Sequence, residues 1–505
     1  MMKRIAYQLL MMLLPLMANA NDDIVVRGDA NGDGVVNTSD ATAIMNNILG
    51  TTDPDFNKEA ADANLDGVIG MPDVMFVIYY TTKGKFPGAV MPQLKISFEG
   101  ELSKDMTDYV NGSMQLTDAN GNVVELPAGF KTRGATSKKY SMKPALNMKL
   151  FTEDYLEEAD SSLLEMRSCS SWILDAMAID RICMRNRVAF DIWNEFSRLP
   201  YATDFDGRNG TEGQFVELFI NNQYYGIYCL NDKINRKLLD LKKVQEKDGV
   251  VTIRGALYKS GTNDIADQNN PGYNEDSTAC VIKWHDAWEL SYPDDYGCWQ
   301  AWKPLQDAIL TGNNKDYVKK YFFLENLADY QIHVMALCIG DNWGNKNHYL
   351  SVRNITKNID DPDPTEANRR RFVMTPWDLD TSFGGHYDGE YYDGHYSDWK
   401  PADISKHGGP YPFSALSGDE EYKAILKQRW IEGRVGAFSV ENVCKKLEDY
   451  RDLFIQSGAW TRMVEHYDAQ RYKPKYVNDL TREINFIEEW YKDRFQQMDA
   501  YFGIE

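Results

Sequence analysis

The chain has 505 residues, 43% hydrophobic and 12% aromatic, enough apolar material for more than one folded core. Its 76 acidic residues outweigh 55 basic ones, giving a formal charge of −21. That balance argues against nucleic acid or an anionic membrane as partner, and suits cation binding in a saline exterior.

The first twenty residues read as a secretory leader, 1–20. Lys3-Arg4 precede an apolar run from Leu9 to Met17, and Ala18-Asn19-Ala20 forms a cleavage site. The run is too short to span a bilayer, and no later stretch is long enough. The expected mature chain is secreted, periplasmic or at the cell surface, with no transmembrane segment and a charge of −23 once Lys3 and Arg4 are gone.

Two loops repeat at an offset of 33 residues, 29–40 and 62–73. Each places oxygen ligands at positions 1, 3, 5 and 12, glycine at 6 for the sharp turn, and a backbone carbonyl at 7. The first set is Asp29, Asn31, Asp33, the Val35 carbonyl, Asn37 and Asp40. The second is Asp62, Asn64, Asp66, the Val68 carbonyl and Asp73, with Gly70 at position 9, where water must serve. Both loops match at every ligand position, so two Ca²⁺ ions are expected. Short apolar helices should follow, Ala41–Leu49 and Val74–Tyr80. Position 12 is Asp, not Glu, and no helix is expected before either loop. This combination resembles dockerin type I repeats over about residues 24–84. The resemblance implies a small all-α domain docking through its helix faces onto a cohesin module of a scaffold or surface protein. Its contact positions fall on Thr38-Ser39 and Met71-Pro72. The two pairs differ, which argues against a symmetric dual binding mode.

Gly84, Pro87, Gly88 and Pro92 mark a linker, 85–93, ahead of a large domain, 94–505. Leu94–Phe98 alternates as a strand, and Asp118–Gly121 reads as a hairpin turn. Arg133-Gly134, Ser137 and the lysines up to Lys143 and Lys149 form a basic stretch that suits a phosphate cradle or a solvated hairpin. Trp172–Phe196 carries helical spacing, and Phe215–Leu230 is a hairpin turning at Asn221-Asn222. A helix near Asn235–Leu241, a strand Val251–Lys259 and a long helix Tyr317–Ile339 should follow. From Glu420 onward the pattern is largely helical. The expected class is α+β, with one sheet carrying both the basic strand and two acidic loops.

Those loops hold the chemistry. Asp341-Asn342-Trp343-Gly344-Asn345-Lys346-Asn347 precedes a strand Tyr349–Arg353; a strand Arg371–Met374 precedes Pro376-Trp377-Asp378-Leu379-Asp380-Thr381-Ser382-Phe383-Gly384. Phosphoryl transfer uses this inventory: one carboxylate takes the nucleophile's proton, and Asp and Asn oxygens hold Mg²⁺ against nucleotide phosphates. In an extended segment Asp378 and Asp380 face the same side and repel unless a cation lies between them.

With Ser171-Trp172-Ile173-Leu174, Arg185-Asn186, Tyr225-Gly226-Ile227-Tyr228 and Leu257-Tyr258-Lys259, these pieces resemble the spore coat protein H (CotH) kinase family over residues 94 to about 500. The resemblance implies an atypical protein-kinase-like fold with a largely helical C-terminal part, using ATP and Mg²⁺ to phosphorylate serines of a partner protein. It makes Asp341 the base, gives the metal to Asn345 or Asn347 and to Asp378 or Asp380, and gives phosphates to Lys143 or Lys149 with Arg133. Asp232 stands where the family usually has a Glu, which would orient the phosphate lysine. Together the parts imply an exported kinase tethered to a cohesin-containing assembly. The alternative is a non-catalytic structural or adhesive component of a cellulosome-like polysaccharide-degrading complex, since ATP is scarce outside the inner membrane. No carboxylate pair points to a glycosidase.

The loop His386–Pro412 carries Tyr387, Tyr391, Tyr392, Tyr396 and Trp399, which suit a substrate-facing lid. Its three histidines lack zinc spacing. Seven cysteines, Cys169, Cys183, Cys229, Cys280, Cys298, Cys338 and Cys444, read mostly as buried thiols, with Cys280–Cys298 the first pair to test for a disulfide.

Overall fold

The computed structural model describes residues 26–64, 68–83, 90–103, 105–134, 143–201, 207–260, 283–284, 288–296, 299, 301–302, 314–342, 346–386, 400–401, 412–468 and 476–504. The leader, Asp66, most of the linker, Ser137, Cys280, Cys298, Asn345 and the aromatic residues of the 387–411 loop lie outside the described residues. The chain divides into two compact units, 1–90 with 453–462 and 91–452 with 463–505. Among the described residues no helix is long and apolar enough to cross a membrane.

In the front unit helix α1 spans Thr38–Ile48, α2 Lys58–Ala61 and α3 Met71–Lys83. Asn37 caps α1 by accepting the Ser39 N–H at 2.7 Å, and Asp40 reaches back to the Asn37 N–H at 2.8 Å. That cap starts the helix inside the oxygen loop, earlier than hydrophobic spacing predicts. A single helical turn, α2, does precede the second loop, because Asn57 accepts the N–H groups of Glu59 and Ala60. The core is small: Ala30, Ala41, Ile44, Ala61, Ala63, Val74 and Val77.

The large unit mixes strands and helices, as expected, but in two sheets. Seven strands close a barrel: β1 Gln93–Phe98, β2 Val110–Thr117, β3 Val123–Arg133, β4 Ala145–Leu150, β5 Ser171–Asp175, β6 Gly213–Ile220 and β7 Gln223–Asp232, ordered β1-β2-β3-β4-β5-β7-β6. Alternate residues point inward, so Leu94, Ile96, Met114, Phe130, Leu146, Met148, Trp172, Leu174, Leu218 and Tyr228 fill its interior. Strand β1 lies so close to β2 that a Cβ on Gly112 would meet the Ser97 carbonyl at 2.0 Å. Asn221 and Asn222 turn the β6–β7 hairpin at φ +49° and +64°, as their sequence predicts.

Helix α4 (Arg185–Phe196) follows the fifth strand, and a small hairpin, β8 (Gln245–Lys247) and β9 (Val250–Thr252), precedes the second sheet. That sheet contains β10 Ala256–Ser260, β11 Lys283–Trp284, β12 Trp288–Tyr292, β13 His348–Val352 and β14 Phe372–Pro376, ordered β11-β12-β10-β13-β14. The basic strand β4 belongs to the barrel and the acidic loops flank β13 and β14, so the expectation of one shared sheet is corrected.

Other departures have local causes. Trp172-Ile173-Leu174 sits between β4 and β7 as strand, and helix begins only at Arg185. Residues 235–241 form turns, stopped by Asp240 at φ +45°. The long helix breaks into α5 (Lys315–Tyr321) and α6 (Leu324–Leu337), because Phe322 bridges to Phe372 and the Phe323 N–H bonds the Phe372 carbonyl at 3.2 Å. The strand expected over 251–259 splits where the Gly255 N–H bonds the Lys242 carbonyl. After α7 (Pro364–Asn368) and α8 (Phe413–Leu416), helices α9 (Glu420–Arg434), α10 (Val440–Gln456), α11 (Ala459–Asp468) and α12 (Leu480–Phe502) bear out the helical reading of the C-terminal part. Cys169, Cys183, Cys229 and Cys338 are buried free thiols, and Cys444 is a half-buried one.

His333 of α6 is fully buried, its Nε2 donating to the Ala189 carbonyl at 2.8 Å. Nδ1 has no partner, and burial pushes the imidazole down to about 4. The folded chain therefore holds His333 neutral, while the unfolded chain protonates it near 6.5. Stability from this group is complete above 6.5 and is lost as pH falls towards 4. Denaturant titrations of wild type and His333→Phe should show an excess acid loss of about 2–3 kcal/mol in the wild type across that window.

Candidate metal and phosphate sites

The two front loops share one hydrogen-bond plan. Asp40 accepts N–H bonds from Asn31 at 3.1 Å and Asn37 at 2.8 Å. Asp73, 33 residues on, accepts them from Asn64 at 3.0 Å and Gly70 at 2.7 Å. Asp29 accepts from Asp33 and Gly34, and Asp33 from Val35, so backbone amides hold the first-loop carboxylates in place. Burial and the charges of Asp29 and Asp33 push Asp40 above the usual carboxylate range, against the N–H bonds that lower it. Like charges held together on a hard-oxygen loop fit Ca²⁺.

In the large unit, strand register assembles the site. His348 of β13 pairs with Pro376 of β14, which puts the Asp341–Asn347 and Trp377–Asp380 segments at the same end of the sheet. Helix α6 ends on Cys338 in the left-handed region (φ +49°) and delivers a 3₁₀ turn, Gly340–Asn342, carrying Asp341. Hydrogen bonds then clasp the loops together. Asn342 Nδ2 donates to the Asn347 carbonyl at 2.9 Å and the Trp377 carbonyl at 2.7 Å. The Asp341 N–H donates to Thr381 Oγ1 at 3.1 Å, and the Trp377 N–H to the Asn347 carbonyl at 2.8 Å. The barrel joins through Asn186, which donates to Asp175 Oδ2 at 2.7 Å and accepts the Leu379 N–H at 3.0 Å.

This clasp gathers Asp341, Asp378, Asp380, Asp175 and Asp180 within electrostatic reach. Asp341 is engaged by Lys346 Nζ at 2.7 Å and Asn347 Nδ2 at 3.0 Å, and Asp180 by Arg185. Asp378 and Asp380 have neither a hydrogen bond nor an ion pair from their carboxylates among the described residues. Asp378 is exposed and Asp380 half-buried, yet protein crowds their flanks, as at the floor of an open cleft. Burial, then Asp378, Asp175, Asp341 and Asp180, pushes Asp380 well above the usual range. Burial also raises Asp378, opposed by Arg133 and reinforced by Asp175 and Asp341. Asp378 takes φ +57° and Asn347 φ +60°, unusual for non-glycine residues and common at functional loops. Among the described residues no three acidic, His or Cys side chains converge to enclose an ion unaided.

The facing cations are Arg133 and Lys259. Arg133 lies 5.2 Å and Lys259 5.8 Å from the Trp377 ring. Lys259 reaches this end because it pairs with Tyr349 across β10 and β13. Burial and Arg133 lower its pKa, while Glu289 and Asp378 raise it. Lys143 is fully buried, bonded to the Ile227 carbonyl and over the Tyr228 ring at 4.8 Å, within electrostatic reach of Asp175 and Asp180. Lys149 pairs with Glu158 at 2.6 Å. Asp232 pairs with Arg167 and accepts the Glu212 N–H at 2.8 Å, rather than orienting either lysine. Sequence reasoning missed Asp175 and Asp180 altogether; a lone Asp closing an apolar strand and one in a turn carry no spacing signal.

Residues 130–498 match the family model described as CotH kinase protein, and residues 27–81 match the dockerin type I domain. No curated protein matches the chain.

Two measurements test these sites. Removing Ca²⁺ with EDTA should unfold residues 27–81, seen as lost far-UV helicity, and Asp40→Ala should weaken Ca²⁺ binding about tenfold or more by calorimetry. In the large unit, a raised Asp380 pKa means its ionised form opposes folding, so the penalty grows as pH rises above the ordinary Asp range. Asp380→Asn should raise the melting temperature of metal-free protein at pH 7 and abolish a Mg²⁺-induced rise that, in wild type, grows with pH.

Proposed function

The chain belongs to the CotH kinase protein family and carries a dockerin type I domain, and from that premise we propose an exported, ATP- and Mg²⁺-dependent protein kinase. It phosphorylates serine hydroxyls of a partner protein and is attached through the dockerin to a cohesin-containing surface or secreted assembly. In this reading the α+β body is an atypical kinase-like fold. The observation that carries the proposal is the clasp of the Asp341 and Asp378–Asp380 loops at one sheet end, facing Arg133 and Lys259.

Asp341 accepts the serine proton as the Oγ–phosphorus bond forms and the bond to the ADP oxygen breaks. Asn347 and Lys346 hold its carboxylate in place. Asp378 and Asp380, with the amide oxygen of Asn347 or Asn345, are the oxygens that would hold Mg²⁺, which when bound offsets phosphate charge. Arg133 supplies a fork and Lys259 a point charge to the phosphates, the role that the family resemblance assigned to Lys143 or Lys149. The exposure of Asp378 leaves room for phosphate oxygens to complete the metal shell.

Purified chain with Mg²⁺ and γ-labelled ATP should label itself or a partner. Asp341→Asn should cut transfer about 100-fold or more while nucleotide binding persists. Equal labelling by both proteins rejects the assignment of Asp341. Absence of nucleotide binding at millimolar ATP and Mg²⁺ favours a structural component of a polysaccharide-degrading complex instead.

A further inference from the structure

The same sheet carries a second charged end. At the opposite end of β13 from the acidic loops, about 16 Å away along a five-residue strand, four chain segments are knitted by backbone hydrogen bonds. The Lys242 N–H bonds the Arg353 carbonyl at 3.0 Å, and the Gly255 N–H bonds the Lys242 carbonyl at 3.0 Å. The Ile355 N–H bonds the Arg254 carbonyl at 2.6 Å, and the Asn354 N–H bonds the Arg369 carbonyl at 2.8 Å. Lys242, Arg254, Arg353 and Arg369 are thereby forced onto adjacent backbone.

Few carboxylates answer them. Asp240 takes Arg353 through Nε at 3.0 Å and through Nη2. Glu366 takes Arg369 Nη1 at 2.6 Å and also Lys357. Lys242 and Arg254 form no ion pair with a carboxylate among the described residues, in a chain where acids outnumber bases, and Asp240 acts on Lys242 only through space. Arg254 donates only to the Lys243 carbonyl. Arg353 is 7% exposed and its Nη1 has no hydrogen-bond partner, as do Arg369 Nε and Arg370 Nη1. A buried guanidinium N–H left unmade is costly, and mutually repelling cations held by backbone need an anion to offset them. Burial and then Arg353 lower the Lys242 pKa, opposed by Asp240 and reinforced by Arg369 and Arg254.

We infer that Lys242, Arg254, Arg353 and Arg369 form a binding site for a tetrahedral oxyanion of the phosphate class, separate from the acidic site. Guanidinium forks with spare N–H groups and an ammonium point charge suit an acceptor with three or more oxygens. The anion is free phosphate or a phosphomonoester on a protein. The inference does not rest on kinase activity.

Calorimetry on the full chain, without divalent metal, tests it with two ligands: inorganic phosphate and a phosphoserine peptide beside its unphosphorylated twin. Lys242→Gln/Arg254→Gln should weaken binding roughly tenfold or more, whereas Arg133→Gln/Lys259→Gln should leave this binding event in place. Preference for the phosphopeptide over phosphate identifies a protein-borne source; equal affinity identifies the free ion. On wild-type protein, phosphate should protect Lys242 from acetylation, read by mass spectrometry, whether or not the variant folds. No binding by wild type, or binding lost only with Arg133→Gln/Lys259→Gln, overturns the inference. The second outcome leaves the phosphate role of Arg133 and Lys259 standing.

Discussion

One register holds the large unit's chemistry together. His348 opposite Pro376 fixes where β13 begins and β14 ends, and every acidic loop contact follows from it. Both strands are buried along their whole length, so a one-residue slip would turn their side chains onto the wrong faces. The register is therefore enforced by core packing and not by the loops themselves. The loops inherit their proximity, and Asn342 then binds both Asn347 and Trp377 to remove the remaining freedom.

Proximity of this kind is expensive in charge. Five carboxylates share one region, and two of them, Asp378 and Asp380, have no protein partner among the described residues. Arg133 and Lys259 offset part of the repulsion from the far side of Trp377, whose ring both approach. Neither forms an ion pair with Asp378, so the two signs face each other across space that a metal–phosphate group would bridge. A site built only for stability would have paired them. Asn186 ties the Leu379 N–H, between the two acids, to Asp175 at the end of β5.

The acidic loops were legible because their oxygen donors form a dense local pattern, with Asp341 and Asp378–Asp380 in two short segments. The calcium loops were legible for the same reason, down to the repeat of the Asp40 and Asp73 bonds. Residues acting from a distance were not. Lys259 and Asp175 arrive through β10–β13 and β5–β7 pairings separated by tens of residues, and periodicity cannot show such pairings. The setting of Lys143 was not legible, because a lysine in a basic stretch reads as solvated, whereas its ammonium is buried against the Ile227 carbonyl and within electrostatic reach of Asp175 and Asp180. The barrel closure, a parallel contact of β1 with β6, leaves no local signal either. The break at Phe322–Phe323 shows tertiary pairing with Phe372 overriding a continuous helical pattern.

Two divalent-ion strategies thus occupy one chain. The front loops surround their ion with backbone-aimed oxygens, so binding energy goes into ordering a unit whose alanine- and valine-rich core is too small to order itself. The large unit has the reverse economy. Its apolar core is larger, and of its clustered acids Asp378 is exposed and Asp380 half-buried. In the proposed reading an ion there would have its shell completed by a ligand that brings its own oxygens. In the proposed reading, calcium orders the dockerin unit, while magnesium would bind at the acidic loops together with nucleotide. The same oxygen chemistry separates a permanent ion from an exchangeable one by how much of the coordination shell the chain itself provides.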